Sequence, residues 1–274
     1  MHRLKLCKAL EKRIEFYLVE INQLNKDYSP GDIHDFRVAS RYLLAIEPLM
    51  RSVSDTKKWR HQVKQWLKLF ARLRDLHVFS ELIGDDQELN ALLDHDIENE
   101  VEMLVESSVV IGEGGVAKQI HKSYRIFCNS CDKKSTINKR VFELWSKYYE
   151  EVKQALDAID YDQPEKIHKL RICFKPFRYF ASFLHEANLV KFDCFNDFRY
   201  WQDLMGDIND IQVVSAWLEK IDLHKRLLDH FNKEGDVLRT RLRAEEADFR
   251  KFTKQINESV VSNLGMSGAS PVPG

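Results

Sequence analysis

Proline and glycine are scarce in this chain: six prolines and ten glycines are spread over 274 residues. Long stretches without helix breakers, with apolar residues at helical rather than alternating spacing, argue against a strand-rich fold and predict an all-α protein. No apolar run approaches the roughly 20 residues that span a bilayer, so no membrane partner is expected. The N-terminus, MHRLKLCKALEKRIEF, interrupts its apolar residues with charges and lacks the core of a secretion leader, so the expected location is cytoplasmic. The five cysteines form an odd, scattered set, which suits reduced thiols rather than a disulfide framework. Also missing are a Gly-rich phosphate loop, a complete metal-ligand set and a nucleophile with a neighbouring base. The expectation is therefore a non-catalytic binding module with no cofactor and no metal.

Charge is plentiful, at 31% of residues, and nearly balanced, with a formal net charge of −1. The balance conceals segregation. Residues 57–74 (KKWRHQVKQWLKLFARLR) hold seven Lys/Arg and no acid, whereas residues 81–106 hold ten Asp/Glu and no Lys/Arg. The acidic run reads as a solvated face or as a surface that docks against basic helices. From Lys166 to His185 there are five Lys/Arg, two His and again no acid.

The chain repeats itself. IHDFRVASRYLLAIEPL from Ile33 aligns with IHKLRICFKPFRYFASF from Ile167, placing His34 on His168, Phe36 on Leu170, Arg37 on Arg171 and Arg41 on Lys175. At nearly the same offset, RDLHVFSEL from Arg74 aligns with NDIQVVSAWL from Asn209, so Asp75 meets Asp210 and Val78 meets Val213. Two ordered matches at almost equal separation indicate an internal duplication into two helical halves. Periodicity predicts helices near 3–26, 32–51, 56–72, 75–83, 87–109 and 116–127, then 136–160, 165–187, 192–205, 208–221 and 223–261. Asp32 and Asp162 read as helix starts. The breaker-rich IGEGGV at 111–116 leads to halves of about 1–127 and 128–262 within a single domain, followed by a disordered tail over 263–274.

With residues advancing by about 100° along a helix, Arg37 and Arg41 lie within roughly 60° of His34. Phe36, Ala39, Leu43, Ile46 and Met50 fall on the opposite, core-facing side. In the second copy His168, Arg171, Lys175 and Arg178 share one face, with Leu170, Cys173, Phe177, Phe180 and Leu184 on the other. A solvated amphipathic helix needs no more than this. Yet both copies keep the same His/Arg spacing, and neither stripe carries an acid one turn on. The second basic position is Arg in both, and its planar fork matches phosphate or carboxylate oxygens. Further stripes run through Arg60, Lys64, Lys68 and Arg72, ending beside Arg74, and through Arg239, Arg243, Arg250 and Lys254, the last interrupted by Glu246. Crowded like charges favour an external polyanion.

Other chemistry is less well supported. His34-Asp35 would suit an HD-type metal phosphohydrolase, but its duplicate is His168-Lys169. Glu165-x-x-His168 has di-iron spacing without a second copy. Cys128-x-x-Cys131 is a lone pair, and Glu98, Glu100 and Glu102 alternate within helical surroundings. His34 and His168 either hydrogen-bond a phosphate or cap their helices, and Asp75 and Asp210 orient the basic side chains.

HDFRVASRYL and HKLRICFKPFRY, followed by RDLHV and by QDLMGDIND at 202–210, make the chain resemble the CHAD family of histidine-bearing α-helical domains over roughly residues 1–258. The resemblance implies two four-helix-bundle halves related by a pseudo-two-fold axis around a basic central groove or channel. It also implies binding of inorganic polyphosphate and association with polyphosphate granules. His34, Arg37, Arg41, His168, Arg171, Lys175 and Arg178 would then hold the anion, with the stripes at 60–74 and 239–254 as secondary contacts. The chain departs from the family pattern at Tyr42 and Leu44, and at Pro176, where another Arg is common. A nucleic-acid-binding or protein-docking scaffold is the second reading. Exposed aromatic rings among the basic residues would favour it.

Overall fold

The structure, a computed structural model, describes residues 2–24, 28–107, 115–130, 134–192, 194–221 and 224–266. Among these residues there are only helices: α1 (His2–Leu24), α2 (Pro30–Arg51), α3 (Lys57–Leu69), α4 (Ala71–Ile83), α5 (Gln87–Ser107), α6 (Gly115–Ser130), α7 (Lys134–Asp157), α8 (Pro164–Glu186), α9 (Phe195–Ile221), α10 (Lys225–Ala244) and α11 (Glu246–Leu264). None is long and apolar enough to cross a membrane. The chain divides into two compact units, Met1–Lys134 and Ser135–Gly274.

In the first unit α2 is central and packs against α1, α3, α4 and α6. Its start is set earlier than Asp32. Ser29 is the N-cap and Pro30 the first helical residue. Asp32 sits at the third position, where its N–H donates to Ser29 Oγ (3.2 Å) and its carboxylate accepts from the Ser29 hydroxyl (2.6 Å). This is the N-cap half of a capping box, with the Asp32 carboxylate returning to the Ser29 hydroxyl rather than to its backbone N–H. Phe36, Ala39, Leu43, Ile46 and Met50 are all buried, as the apolar stripe predicts. At the far end of α2 the buried Glu47 (1% exposed) accepts from the Thr56 hydroxyl and pairs with Arg60 (3.3 Å) and Arg51 (3.7 Å), tying α2 to the start of α3.

Cys7 of α1 and Cys128 of α6 form a disulfide, with Cα atoms 5.9 Å apart across a sequence separation of 121. This corrects the expectation of uniformly reduced thiols. The pairing depends on α1 lying against α6, which no local spacing reveals. Cys173 and Cys194 carry thiols; Cys131 lies outside the described residues.

In the second unit α9 packs against α8 and α10. Phe174, Phe177, Phe198 and Phe249 are fully buried and form a ring cluster that Trp145, Trp201 and Phe252 extend, while the equally buried Phe180 meets Phe183 and Tyr148. The α8 helix follows Gln163 rather than Asp162 and runs unbroken through Pro176.

Two predicted boundaries change here. Residues 195–221 form one helix through Gly206, where two were expected. An interior glycine costs only about 1 kcal/mol, and the buried row Trp201, Met205, Ile208 and Ile211 outweighs it. Conversely, the single helix expected over 223–261 breaks at Glu245, which closes α10 and opens α11. The Glu245 carboxylate accepts from the Tyr200 hydroxyl and from Arg241 Nε (3.1 Å), fixing a corner that neither Gly nor Pro marks. The last helix continues to Leu264 and is closed by Gly265, whose φ of +67° is left-handed. The expected tail therefore begins later than 263, and residues 267–274 lie outside the described residues.

Candidate anion site

The first-copy residues lie on the N-terminal half of α2. His34 is exposed, while Arg37 and Arg41 are half-buried. Arg37 Nη1 donates to the Leu67 carbonyl (2.7 Å) in the last turn of α3. There a helix leaves carbonyls unsatisfied and its dipole is negative. One tip of Arg37 is therefore a helix cap. Arg74 opens the second motif on α4 and is held by Glu81 (3.3 Å). Although His34 is solvent-accessible, its surroundings partly desolvate the imidazole and push it below its ordinary range, and the charges of Arg74 and Arg41 push it the same way against Asp35 and Glu81. His34, Arg41 and Arg74 thus share one field. Asp75 is exposed on α4.

In the second unit the corresponding contact is direct. Asn209 Nδ2 donates to Asp210 Oδ1 (3.0 Å), so its Oδ1 faces His168 Nδ1 at 2.6 Å and accepts from it. This fixes the protonated nitrogen and leaves Nε2 as the outward tip. Asp210 also pairs with Arg171 (3.8 Å). Asp210 thus touches Arg171 directly and His168 by way of Asn209, a residue that sequence reasoning passed over. Lys175 and Arg178 continue the same face, both half-buried. Neither histidine is its helix's N-cap, a place taken by Ser29 and Gln163.

Among the described residues, neither Arg41 nor Arg178 has a carboxylate within 4.0 Å. The secondary stripes differ. Arg60 is bound to Glu47, and Arg72 pairs with Asp96 (3.6 Å) and with the buried Glu100 (3.0 Å) of α5. Part of the acidic segment therefore docks on a basic helix. Lys64 and Lys68 stay exposed on α3. In the last stripe Arg239 pairs with Asp236 (2.5 Å), Arg243 with Asp162 (2.7 Å), and Arg250 with Asp157 (2.7 Å) and Glu246 (2.6 Å). Lys254 lies 4.0 Å from Glu258. These cations are neutralised from within their own units.

His77, inside the RDLHV motif, is another residue not singled out by the sequence. It is buried, and burial followed by the Arg74 charge holds its imidazole below the ordinary range. Among the described residues no three His, Cys, Asp or Glu side chains converge as a metal-binding group. No aromatic ring there is exposed: Phe36, Tyr42, Phe174, Phe177 and Tyr179, which flank the two basic faces in sequence, are all buried.

Residues 8–219 match the family model described as CHAD domain. The structure is similar to the crystal structure of the CHAD domain from the plant Ricinus communis, with a TM-score of 0.62 and 14% identity, covering 98% of this chain and 92% of that one. It is also similar to PptA from Streptomyces chartreusis, with a TM-score of 0.54 and 14% identity, covering 93% and 98%. Comparison with curated protein sequences finds no match. At this identity the likeness is one of fold.

Proposed function

Because the chain belongs to the CHAD family, we propose that it binds inorganic polyphosphate, without catalysing its turnover, through the basic faces of α2 and α8. The observation that carries the reading is selective neutralisation. The stripe at 239–254 is matched by nearby carboxylates, whereas Arg41 and Arg178 are not, on the helices where the His/Arg pattern is duplicated. Guanidinium forks and imidazolium N–H groups would donate to the non-bridging oxygens of successive phosphates. Burial of the rings flanking the basic faces of α2 and α8 supports polyphosphate over nucleic acid, because bases would find no exposed ring on those faces to stack on. The same reading associates the protein with polyphosphate granules.

The test is a competition titration of long-chain polyphosphate against short chains and against single- and double-stranded nucleic acid. Affinity should rise with chain length. It should fall on the order of a hundredfold between 50 and 200 mM salt, by the counterion release that governs DNA binding. Equal affinity for short and long chains, salt-insensitive binding, or a preference for nucleic acid would refute it.

Binding should also depend on pH. His34 is held below its ordinary range in the free protein, so its neutral form is favoured at neutral pH. A polyanion beside it favours the imidazolium and raises its pKa, so binding takes up a proton and affinity rises as pH falls through the histidine range. Titrations at pH 6 and 8, in buffers of different ionisation enthalpy, measure both the affinity and the proton uptake. His34→Gln should remove part of each. Affinity that increases with pH would exclude this coupling.

A further inference from the structure

The first unit contains a cavity of about 400 Å³ between the α2–α3 connection and α6, away from the basic face of α2. It lies past the C-terminal end of α2, about 25 Å along that helix from His34 at 1.5 Å per residue. Lys58 and Lys122 stand in its wall, one from the first turn of α3 and one from α6. Neither has a carboxylate within 4.0 Å among the described residues. The one acid in the lining, Asp55, already accepts from the backbone N–H of Lys57 (3.0 Å).

Ser123 also lines the cavity and is only 2% exposed. Its Oγ accepts from the indole N–H of the buried Trp59 (3.2 Å), and its hydroxyl donates to no acceptor among the described residues. A buried donor left over in a wall that also carries two lysines suits an anionic oxygen. Ile126 and Gln119 complete a wall of mixed polarity. The volume lies in the range of small-molecule pockets and exceeds what a bare phosphate ion fills.

We infer that this cavity binds a small phosphate monoester with a hydroxylated body, such as a sugar phosphate or a nucleoside monophosphate. Lys58, Lys122 and the Ser123 hydroxyl take the phosphate, the remaining lone pairs of Asp55 accept from the body's hydroxyls, and Ile126 covers its apolar edge. The site is separate from the polyphosphate-binding faces and does not rest on that reading.

Titration of the full chain with glucose 6-phosphate and with adenosine monophosphate tests it, read by heat and by the Trp59 indole N–H resonance assigned through Trp59→Phe. Saturable binding by at least one of the two is expected, with a shift of that resonance and with inorganic phosphate at least tenfold weaker. Lys58→Ala with Lys122→Ala should weaken binding at least tenfold while leaving the melting temperature unchanged and long-chain polyphosphate affinity within about twofold of the parent. No saturable binding to a folded protein overturns the inference, as does binding indifferent to the two lysines. Succinate binding as well as either ester would overturn the phosphate assignment. A matching loss of polyphosphate affinity in the double variant would overturn the separateness of the site. Polyphosphate titration of the parent chain is an independent reading, so either proposal can fail without the other.

Discussion

Arg41→Glu combined with Arg178→Glu is expected to lower affinity for long-chain polyphosphate by on the order of a hundredfold or more at moderate salt, because two cations facing the ligand become two anions. These two positions are the informative ones. Arg37 caps α3 through Leu67 and Arg171 is tied to Asp210, so reversal there would disturb the fold as well as the site. Arg178 lies 5.7 Å from the ring of its neighbour Tyr179, and like Arg41 it has no ion-pair partner among the described residues. Their loss should leave the melting temperature nearly unchanged. The control is Arg243→Glu with Arg250→Glu, which breaks contacts to Asp162, Asp157 and Glu246. It should lower stability while affinity changes by less than about threefold, since those charges are already matched. Calorimetric titration beside thermal melts separates the two outcomes. A folded Arg41/Arg178 variant with parental affinity would remove the proposed site.

Phe174→Ala should destabilise the second unit by about 3–5 kcal/mol, the usual cost of removing a fully buried ring. Phe174 is 0% exposed and touches three other rings, those of Phe177 (5.9 Å), Phe198 (6.2 Å) and Phe249 (5.2 Å, edge-to-face). It therefore links α8 to α9 and α11. Denaturant unfolding followed by single-tryptophan variants reads the units separately, with Trp201 reporting on the second and Trp66 on the first. The Trp201 transition should move to lower denaturant and the Trp66 transition should not. Phe174→Leu, which keeps most of the volume, should lose less than about half as much. A loss below about 1 kcal/mol in the alanine variant would mean that the ring cluster repacks freely.

The buried stripe on α2 and all but one member of that on α8 could be read from helical spacing, because burial of one helix side imposes a local period on the sequence. Cys173 is the exception, half-buried rather than core. The basic faces were legible for the same reason, and the repeated His/Arg spacing set two of them apart from the rest. The helix break at Glu245 was not legible. The apolar register from Leu242 to Phe249 spans seven residues as a continuous helix would, and only contacts with Tyr200 and Arg241 make the corner. Likewise, Gly206 read as a boundary until its buried neighbours carried α9 through it.

The state of each charge divides in the same way. Sequence alone determined that this is an all-helical chain with a repeated His/Arg face, since both features reside in spacings of a few residues. Tertiary structure alone decided which cations remain unmatched. Arg243 meets Asp162 and Arg250 meets Asp157 across 81 and 93 residues, Arg72 meets Asp96 from another helix, and Cys7 meets Cys128 across 121. Such pairings depend on which helices pack together. A guanidinium that is solitary in its own helix can be fully occupied in the fold, and only the packing tells it from one still open to a ligand.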